Sequence, residues 1–290
     1  MAGLRWVLFI HPSEWAAIPW LKPAIARIVG DEQFHQFANT TGIELRALQK
    51  AAVALYRDEK KRESLVFLGT HSGNPAAIEQ WLQKRITKNP RRAQDRPDLI
   101  RLHGYIGDTA HALALLGRDT FIYQSGGSLQ KGPARIAALY AEQKLKRSPT
   151  VLAQEPLLSL AQRLGPAPLM ALAPGPFEGE LARGARGLLR AAVALGMAVR
   201  PSAREGLGLF VALSGDFSEN AQAAAEELQK SWDELSQSSF GHLLGLDQPI
   251  TKALCTHSAL ALGLSVELHP MKLADGLASA TSLSVEEMMR

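Results

Sequence analysis

Cysteine is nearly absent from this chain of 290 residues, in which Cys255 is the single example. One thiol excludes an intramolecular disulfide framework and a zinc site built from cysteines alone. No run approaches 18 consecutive apolar residues, so the sequence predicts no transmembrane helix. Aromatic residues make up 6% and hydrophobic residues 46%, which indicates a packed globular protein rather than a disordered one.

Acidic residues are scarce in the first part of the chain. Residues 1–150 hold 22 Lys and Arg against 13 Asp and Glu, a net charge of +9, whereas residues 151–290 hold 10 against 15. This asymmetry is compatible with an anionic partner for the first half, with attraction between the halves, or with ordinary solvated surfaces.

The sequence also contains no recognisable catalytic motif. No serine lies in a G-x-S-x-G elbow, and no serine, histidine and acid can be linked by a motif. We therefore predict no catalytic residue, no metal site and no cofactor.

The spacing of apolar residues and the positions of Gly and Pro predict a series of strands and helices. In the first half, strands are predicted at 5–10, 51–57, 64–69, 99–105, 110–116 and 120–124, with helices at 15–29, 31–39, 75–85 and 133–146. A short helix is predicted at 156–164, between the halves. In the second half, strands are predicted at 169–173, 191–200, 207–213 and within 253–268, with helices at 178–189, 220–235 and 271–280. Residues 88–96 are predicted to form a basic loop.

The two halves look like copies of one unit. Residues 69–84 align without a gap on residues 215–230, and seven of the sixteen positions are identical. Chance similarity is the alternative, because strand-to-helix junctions share capping residues. A duplication predicts an α+β protein of two ferredoxin-like halves (β-α-β-β-α-β), each with an antiparallel sheet and helices on one face. The predicted boundaries are 1–148 for the basic first half, 149–166 for a connecting segment and 167–290 for the acidic second half.

The strongest concentration of charge surrounds the predicted basic loop. Arg and Lys gain binding free energy at a phosphate or another acidic surface by releasing counterions. The loop has no aromatic residue for stacking on bases and no RNP-type motif, so nucleic acid is not the expected partner. A solvated loop is the alternative. The candidate binding residues are Lys84, Arg85, Lys88, Arg91, Arg92, Arg96 and Arg101.

His103, Asp108 and His111 lie close together in the sequence, as the ligands of a metal ion would. A two-residue turn at Gly107 and Asp108, however, pairs His111 with Gly104 in a hairpin. Side chains alternate along a strand, so the two imidazoles are predicted to lie on opposite faces of the sheet.

Two further segments are compatible with chemistry. Cys255 and His257 share one face of a predicted strand, where an imidazole could activate the thiol, although a lone cysteine is also a typical small core residue. The glycine-rich segment 126–132 follows a strand and precedes a helix, as a phosphate-binding loop does, but its spacing matches neither GxxxxGK[ST] nor GxGxxG.

Five segments carry a resemblance to a known group of proteins: 41–45, 51–56, 65–69, 213–217 and 239–246. Together they resemble Ala/Leu-rich bacterial cell-envelope proteins that are described as lipoproteins of unknown function. The resemblance implies a place in the periplasm or cell envelope if an export signal precedes this chain, and the cytoplasm is expected if the chain is complete. It implies no activity and no catalytic residue.

We therefore predict a non-catalytic binding or interaction protein of the bacterial cell envelope. A protein partner or an anionic surface would contact the basic segment 84–101 or the cleft between the halves. The alternatives are a hydrolase that uses Cys255 and His257, and a sensor that holds a small molecule in that cleft.

Overall fold

The computed structural model describes residues 3–71, 73–146 and 150–288, and it confirms the mixed α+β class. The strands are β1 (Gly3–Ile10), β2 (Ala51–Arg57), β3 (Glu63–Thr70), β4 (Lys88–Arg96), β5 (Leu99–Ile106), β6 (Thr109–Leu116), β7 (Thr120–Gly126), β8 (Leu169–Pro174), β9 (Ala192–Pro201), β10 (Leu207–Gly215), β11 (Thr251–Ser258) and β12 (Ala261–Leu268). The α-helices are α1 (Pro12–Ala16), α2 (Lys22–Ile28), α3 (Asp31–Thr41), α4 (Pro75–Arg85), α5 (Pro133–Ala141), α6 (Leu157–Leu164), α7 (Ala221–Gln237), α8 (Ser239–Leu243) and α9 (Pro270–Met288). Within these described ranges, every helix is too short or too polar to cross a bilayer.

The chain forms two compact units. The first comprises Met1–Trp15 and Asp31–Val151, and the second comprises Ala16–Gly30 and Leu152–Arg290. The segment 16–30 therefore packs with the second unit, although its position in the sequence placed it in the predicted first half. Within the second unit, the guanidinium of Arg27 on α2 lies 2.7 Å from the carboxylate of Asp275 on α9.

The first unit contains a seven-stranded sheet in the order β1-β2-β3-β7-β6-β5-β4. Antiparallel hairpins join β2 to β3, β4 to β5, β5 to β6 and β6 to β7. β1 pairs with β2 across the long connection 11–50, and β3 pairs with β7 after the chain has crossed over through α4. The crossover begins as predicted: Asn74 caps α4 by accepting a hydrogen bond from the backbone N–H of Ala76, and Pro75 occupies the first helical position.

Helices cover both faces of this sheet. On one face α4 buries Ile78 and Leu82 against Leu113 of β6, and on the other face α5 buries Ala138 against Ala114 of the same strand. Residues 110–115 of β6 are consequently buried without alternation, as expected of a strand that is covered on both sides. The expectation of helices on one face does not hold here, because β6 is apolar towards both neighbouring layers.

The second unit contains a five-stranded sheet in the order β11-β12-β10-β9-β8. One face packs on α7, where Leu228 and Trp232 join a core with Leu213 and Leu262. The other face packs on α6, and a Cβ at Gly196 would lie 2.7 Å from the Leu164 side chain. The glycine thus allows α6 to approach the sheet closely.

The ferredoxin-like order of the halves is not confirmed. In that arrangement a helix connects two strands that are separated by a third strand. Here β8 pairs directly with β9, and β1 pairs directly with β2, in antiparallel registers. Within each unit the strands therefore form an antiparallel meander with one interruption. The interruption is the crossover through α4 in the first unit and the crossover through α7 in the second.

Two local predictions are wrong. Residues 88–96 form the strand β4, which lies at the edge of the first sheet and pairs with β5 in a register that shifts twice. Residues 178–189 form short 3-10 turns rather than a helix, and Arg186 and Gly187 adopt positive φ angles of 55° and 88° within them. Glycine at 184 and 187 weakens the helix that the apolar spacing suggests.

Candidate functional site

The candidate basic residues do not form one surface, because β4 sends neighbouring side chains to opposite faces. Three cations in this region are held by carboxylates of the same unit. Lys88 contacts Asp108 at 2.9 Å, Arg96 contacts Asp98 at 2.8 Å, and the guanidinium of Arg92 forms a forked ion pair with Glu79 of α4. Lys84 is exposed on α4.

The remaining candidate cations divide between the two faces of the sheet. Arg91 and Arg101 lie on the side of the sheet that is covered by α5. Arg85, at the end of α4, lies on the opposite side, where its guanidinium is 5.6 Å from the centre of the Trp81 ring.

The predicted separation of His103 and His111 is confirmed. His111 pairs with Gly104 and His103 pairs with Ala112, so the imidazoles lie on opposite faces of the sheet. Across the described part of the chain, no cluster of three or more His, Cys, Asp or Glu side chains could hold a metal ion. Asp108 instead pairs with Lys88.

Cys255 and His257 do lie at alternate positions of β11, opposite Leu264 and Leu262 of β12. Cys255 is half-buried against the core of the second unit, whereas His257 is exposed. Burial raises the pKa of the Cys255 thiol, and the nearby carboxylate of Asp233 raises it further. Both effects oppose formation of the nucleophilic thiolate.

The thiol of Cys255 is therefore expected to react slowly with 5,5′-dithiobis(2-nitrobenzoate) at neutral pH. Because the raised pKa keeps the thiol protonated to higher pH, the labelling rate should continue to rise beyond the point where an ordinary cysteine has ionised. The rate measured on chain unfolded in urea provides the reference. Faster labelling of the native chain than of the unfolded chain at neutral pH would restore Cys255 as a candidate nucleophile.

The glycine-rich loop at 126–132 is closed by a buried glutamine. The amide nitrogen of Gln124 donates to the backbone oxygens of Gly126 and Ser128, at 2.9 and 3.2 Å. Its amide oxygen accepts from the backbone N–H of Ala134, at 3.1 Å. A Cβ at Gly132 would lie 2.4 Å from this amide group, so the loop needs glycine at this position to pack against Gln124.

The most developed site is an apolar cavity in the first unit, with a volume of about 520 Å³. Its floor is the α4-covered face of the sheet, and its walls are α3, the turn that follows α3, and α4. Among the described residues that line it, Arg85 alone is charged. A cavity of this size and character is typical of a site for a small organic ligand.

The floor of the cavity follows from strand register. Val53, Phe67, Tyr123 and Leu113 lie opposite one another on β2, β3, β7 and β6, and they form one row across four strands. Side chains in such a row project to the same face of the sheet. The sheet therefore presents a continuous apolar and aromatic surface to the cavity.

One end of the cavity is polar. The hydroxyl of Tyr123 lies 2.7 Å from Nδ1 of His111, and Ser125 of the same strand also lines the cavity. Burial lowers the pKa of His111, and the positive charge of Arg85 lowers it further. The imidazole is therefore neutral at pH 7, and Arg85 supplies the positive charge at this end.

The cavity exposes apolar side chains to solvent, and one hydrogen-bond donor beside it has no partner among the described residues. Leu65 on its floor and Phe37 in its wall are 45% and 37% exposed. The indole N–H of Trp81 is buried and has no hydrogen-bond partner among the described residues. An unpaired buried donor is costly, so a ligand that accepted this hydrogen bond or covered these side chains would gain free energy.

Sequence reasoning missed this cavity. Its residues come from α3, α4 and four strands, and the pairing of β3 with β7 that unites them is a long-range contact. The alternation Phe121, Tyr123, Ser125 was the available signal, since it predicts one face of a strand that changes from aromatic to polar.

No family model, no curated protein and no solved structure matches the chain.

Proposed function

We propose that the chain is a non-catalytic binding protein whose apolar cavity holds a small molecule with an apolar body and a negatively charged head group. The single observation that carries this proposal is the cavity of about 520 Å³, in which Arg85 is the only charged residue among the described lining residues. The apolar body would lie on the Val53–Phe67–Tyr123–Leu113 row, and the head group would lie at Arg85.

The protonation states of the polar groups support binding rather than catalysis. Burial raises the pKa of Tyr123 and lowers that of His111, so both groups are held neutral. Neutral Tyr123, His111 and Ser125 can orient a head group by hydrogen bonds. A hydrolase centred on Cys255 and His257 is not proposed, because burial disfavours the thiolate.

The proposal predicts different effects of Arg85 on two matched probes, decanoate and 1-decanol. Decanoate should bind more tightly than decanol, and Arg85→Gln should weaken decanoate binding about tenfold, as expected for loss of one charge-assisted hydrogen bond. The affinity for decanol should not change. Isothermal titration calorimetry at fixed ionic strength provides both affinities.

Two further variants keep this experiment specific. Lys84→Gln removes an equal charge from the neighbouring, exposed position and should leave both affinities unchanged. Val53→Phe should abolish binding of both probes by filling the cavity floor, with folding checked by circular dichroism. If Val53→Phe is folded and binds decanoate like the unmodified chain, the cavity is not the binding site.

We also propose that the two units arose by duplication. What supports this is that each matched segment has a glycine at or next to the end of a strand, Gly215 of β10 or Gly69 of β3, and then enters a helix capped by an asparagine side chain. Asn74 caps α4 and Asn220 caps α7. The cell-envelope location and a protein partner are further proposals, which rest on the resemblance of the sequence and on its charge distribution.

A further inference from the structure

The apolar cavity of the first unit is rich in aromatic side chains. Aromatic residues make up 6% of the chain, yet they account for five of the fourteen described residues that line this cavity. Elsewhere the buried core consists mostly of leucine and alanine, which would be sufficient to line a site that recognised only apolar surface. The five aromatic residues are Phe37, Phe67, Trp81, Phe121 and Tyr123.

Strand pairing brings three of these rings together on the floor of the cavity. Phe67 of β3 lies directly opposite Tyr123 of β7, and Phe121 precedes Tyr123 by two residues on the same face. The ring centroids of Phe67 and Phe121 are 5.4 Å apart, and the two planes are inclined at 47°. Trp81 of α4 meets Tyr123 edge-on, with the centroids 5.4 Å apart and the planes at 63°. One connected group of rings therefore extends from the sheet to the helical wall.

The geometry of these contacts allows a further ring to join the group. Aromatic rings prefer edge-to-face or offset arrangements with centroids about 4.5–7 Å apart. In the tilted and edge-on contacts seen here, neither ring covers the whole face of its neighbour. A flat ring bound in the cavity can therefore make the same kinds of contact, with a gain in free energy beyond that of buried area.

Arg85 limits the distance between the charged head of a ligand and its apolar body. Its guanidinium carbon lies 5.6 Å from the centre of the Trp81 ring, so the positive charge lies at the border of the aromatic group. A carboxylate that binds this guanidinium leaves the neighbouring ligand atoms beside the rings. A rigid ring attached to the carboxylate fits this arrangement better than a long flexible chain, which loses more conformational freedom on binding.

We infer that the ligand of the apolar cavity is a planar aromatic carboxylate, whose ring system packs against Phe67, Trp81 and Tyr123 and whose carboxylate binds Arg85. This inference rests on the proposed function and names the class of ligand that the cavity takes. A single guanidinium matches a single carboxylate, and the volume of about 520 Å³ admits a fused ring system.

The inference predicts a preference between 2-naphthoate and its saturated analogue, trans-decahydro-2-naphthoate. Both acids have the same carbon skeleton and the same charge, but only 2-naphthoate is flat and aromatic. The saturated acid has more apolar surface, so a site that recognised only apolar surface would prefer it. We expect 2-naphthoate to bind about fivefold more tightly, as measured by isothermal titration calorimetry at fixed ionic strength.

A matched pair of variants tests the role of the rings. Phe67→Leu keeps the cavity floor apolar but removes one ring, and it should weaken 2-naphthoate binding about fivefold while leaving the affinity for the saturated acid nearly unchanged. Phe9→Leu makes the same exchange at a partly buried position of β1, opposite Ala52 and outside the cavity lining. It should leave both affinities unchanged. Circular dichroism checks the folding of both variants, and the comparison of the two acids on the unmodified chain needs no variant.

The outcomes distinguish this inference from the proposed function. If both acids bind, and both bind more weakly to Arg85→Gln, but the saturated acid binds as tightly as 2-naphthoate, the inference is wrong and the proposed function stands. An equal loss of 2-naphthoate affinity in Phe67→Leu and Phe9→Leu would also contradict the inference. If neither acid nor decanoate binds to the folded chain, the proposed function and the inference fail together.

Discussion

Replacing Gln124 by leucine is expected to lower the free energy of unfolding by about 3 kcal/mol, because three buried or partly buried backbone groups lose their partner at once. The Gln124 side chain is 1% exposed and bonds the backbone of Gly126, Ser128 and Ala134. Leucine has a similar volume but no polar atom, so it would fill the space and leave two carbonyls and one N–H unsatisfied. Urea unfolding followed by circular dichroism measures the change.

A glutamine in the same loop provides the control. Gln130 is exposed, and its replacement by leucine should change the free energy of unfolding by less than about 0.5 kcal/mol. Equal effects of the two replacements would show that the loop is held by something other than the Gln124 amide.

The second large effect is expected at the core of the second unit. Leu228 of α7 is 6% exposed and packs in the same core as Leu213, Trp232 and Leu262. Leu228→Ala should therefore lower the free energy of unfolding by about 3 kcal/mol, since it removes buried methyl groups and leaves a cavity. Urea unfolding followed by tryptophan fluorescence is the appropriate measurement, because Trp232 lies one helical turn away.

A matched leucine lies on the same helix. Leu235 is 43% exposed, so Leu235→Ala should cost less than about 1 kcal/mol. Both variants exchange the same side chain for a residue that favours helices, and the difference between them isolates packing from helix propensity. A loss at Leu235 as large as that at Leu228 would mean that the exposed face of α7 is also buried in solution.

Local signals predicted the hairpins and helix starts well. The β2–β3 hairpin, the turn at Gly107 and Asp108, and the cap at Asn74 depend on residues that are close together in the sequence. The opposite faces of His103 and His111 followed from the same register argument. Short-range chemistry determines these features, so the sequence alone was sufficient to predict them.

Features that depend on the pairing of strands far apart in the sequence could not be predicted from local patterns. The order of the first sheet depends on β3 meeting β7, where Ser64 pairs with Gly126 across more than 60 residues. No local pattern specifies that partner. The apolar cavity depends on it, because its floor runs across both β3 and β7.

The strand β4 illustrates a different difficulty. Its sequence, KNPRRAQDR, is rich in charged residues and contains Pro90, so propensity favours a loop. The strand forms because β5 offers a partner on one side, and charged side chains are tolerated at an edge. Tertiary pairing here outweighs local preference.

The edge position of β4 has a consequence for the molecule in a crowded solution. An exposed strand edge offers unpaired backbone groups on which a second copy of a sheet can add, and growth of that kind leads to aggregates. Pro90 presents no N–H to such a copy, the shifted register of β4 disturbs a flat edge, and repulsion between the basic side chains of two copies opposes their approach. The open edge of this sheet is therefore poorly suited to receive a strand from a second copy.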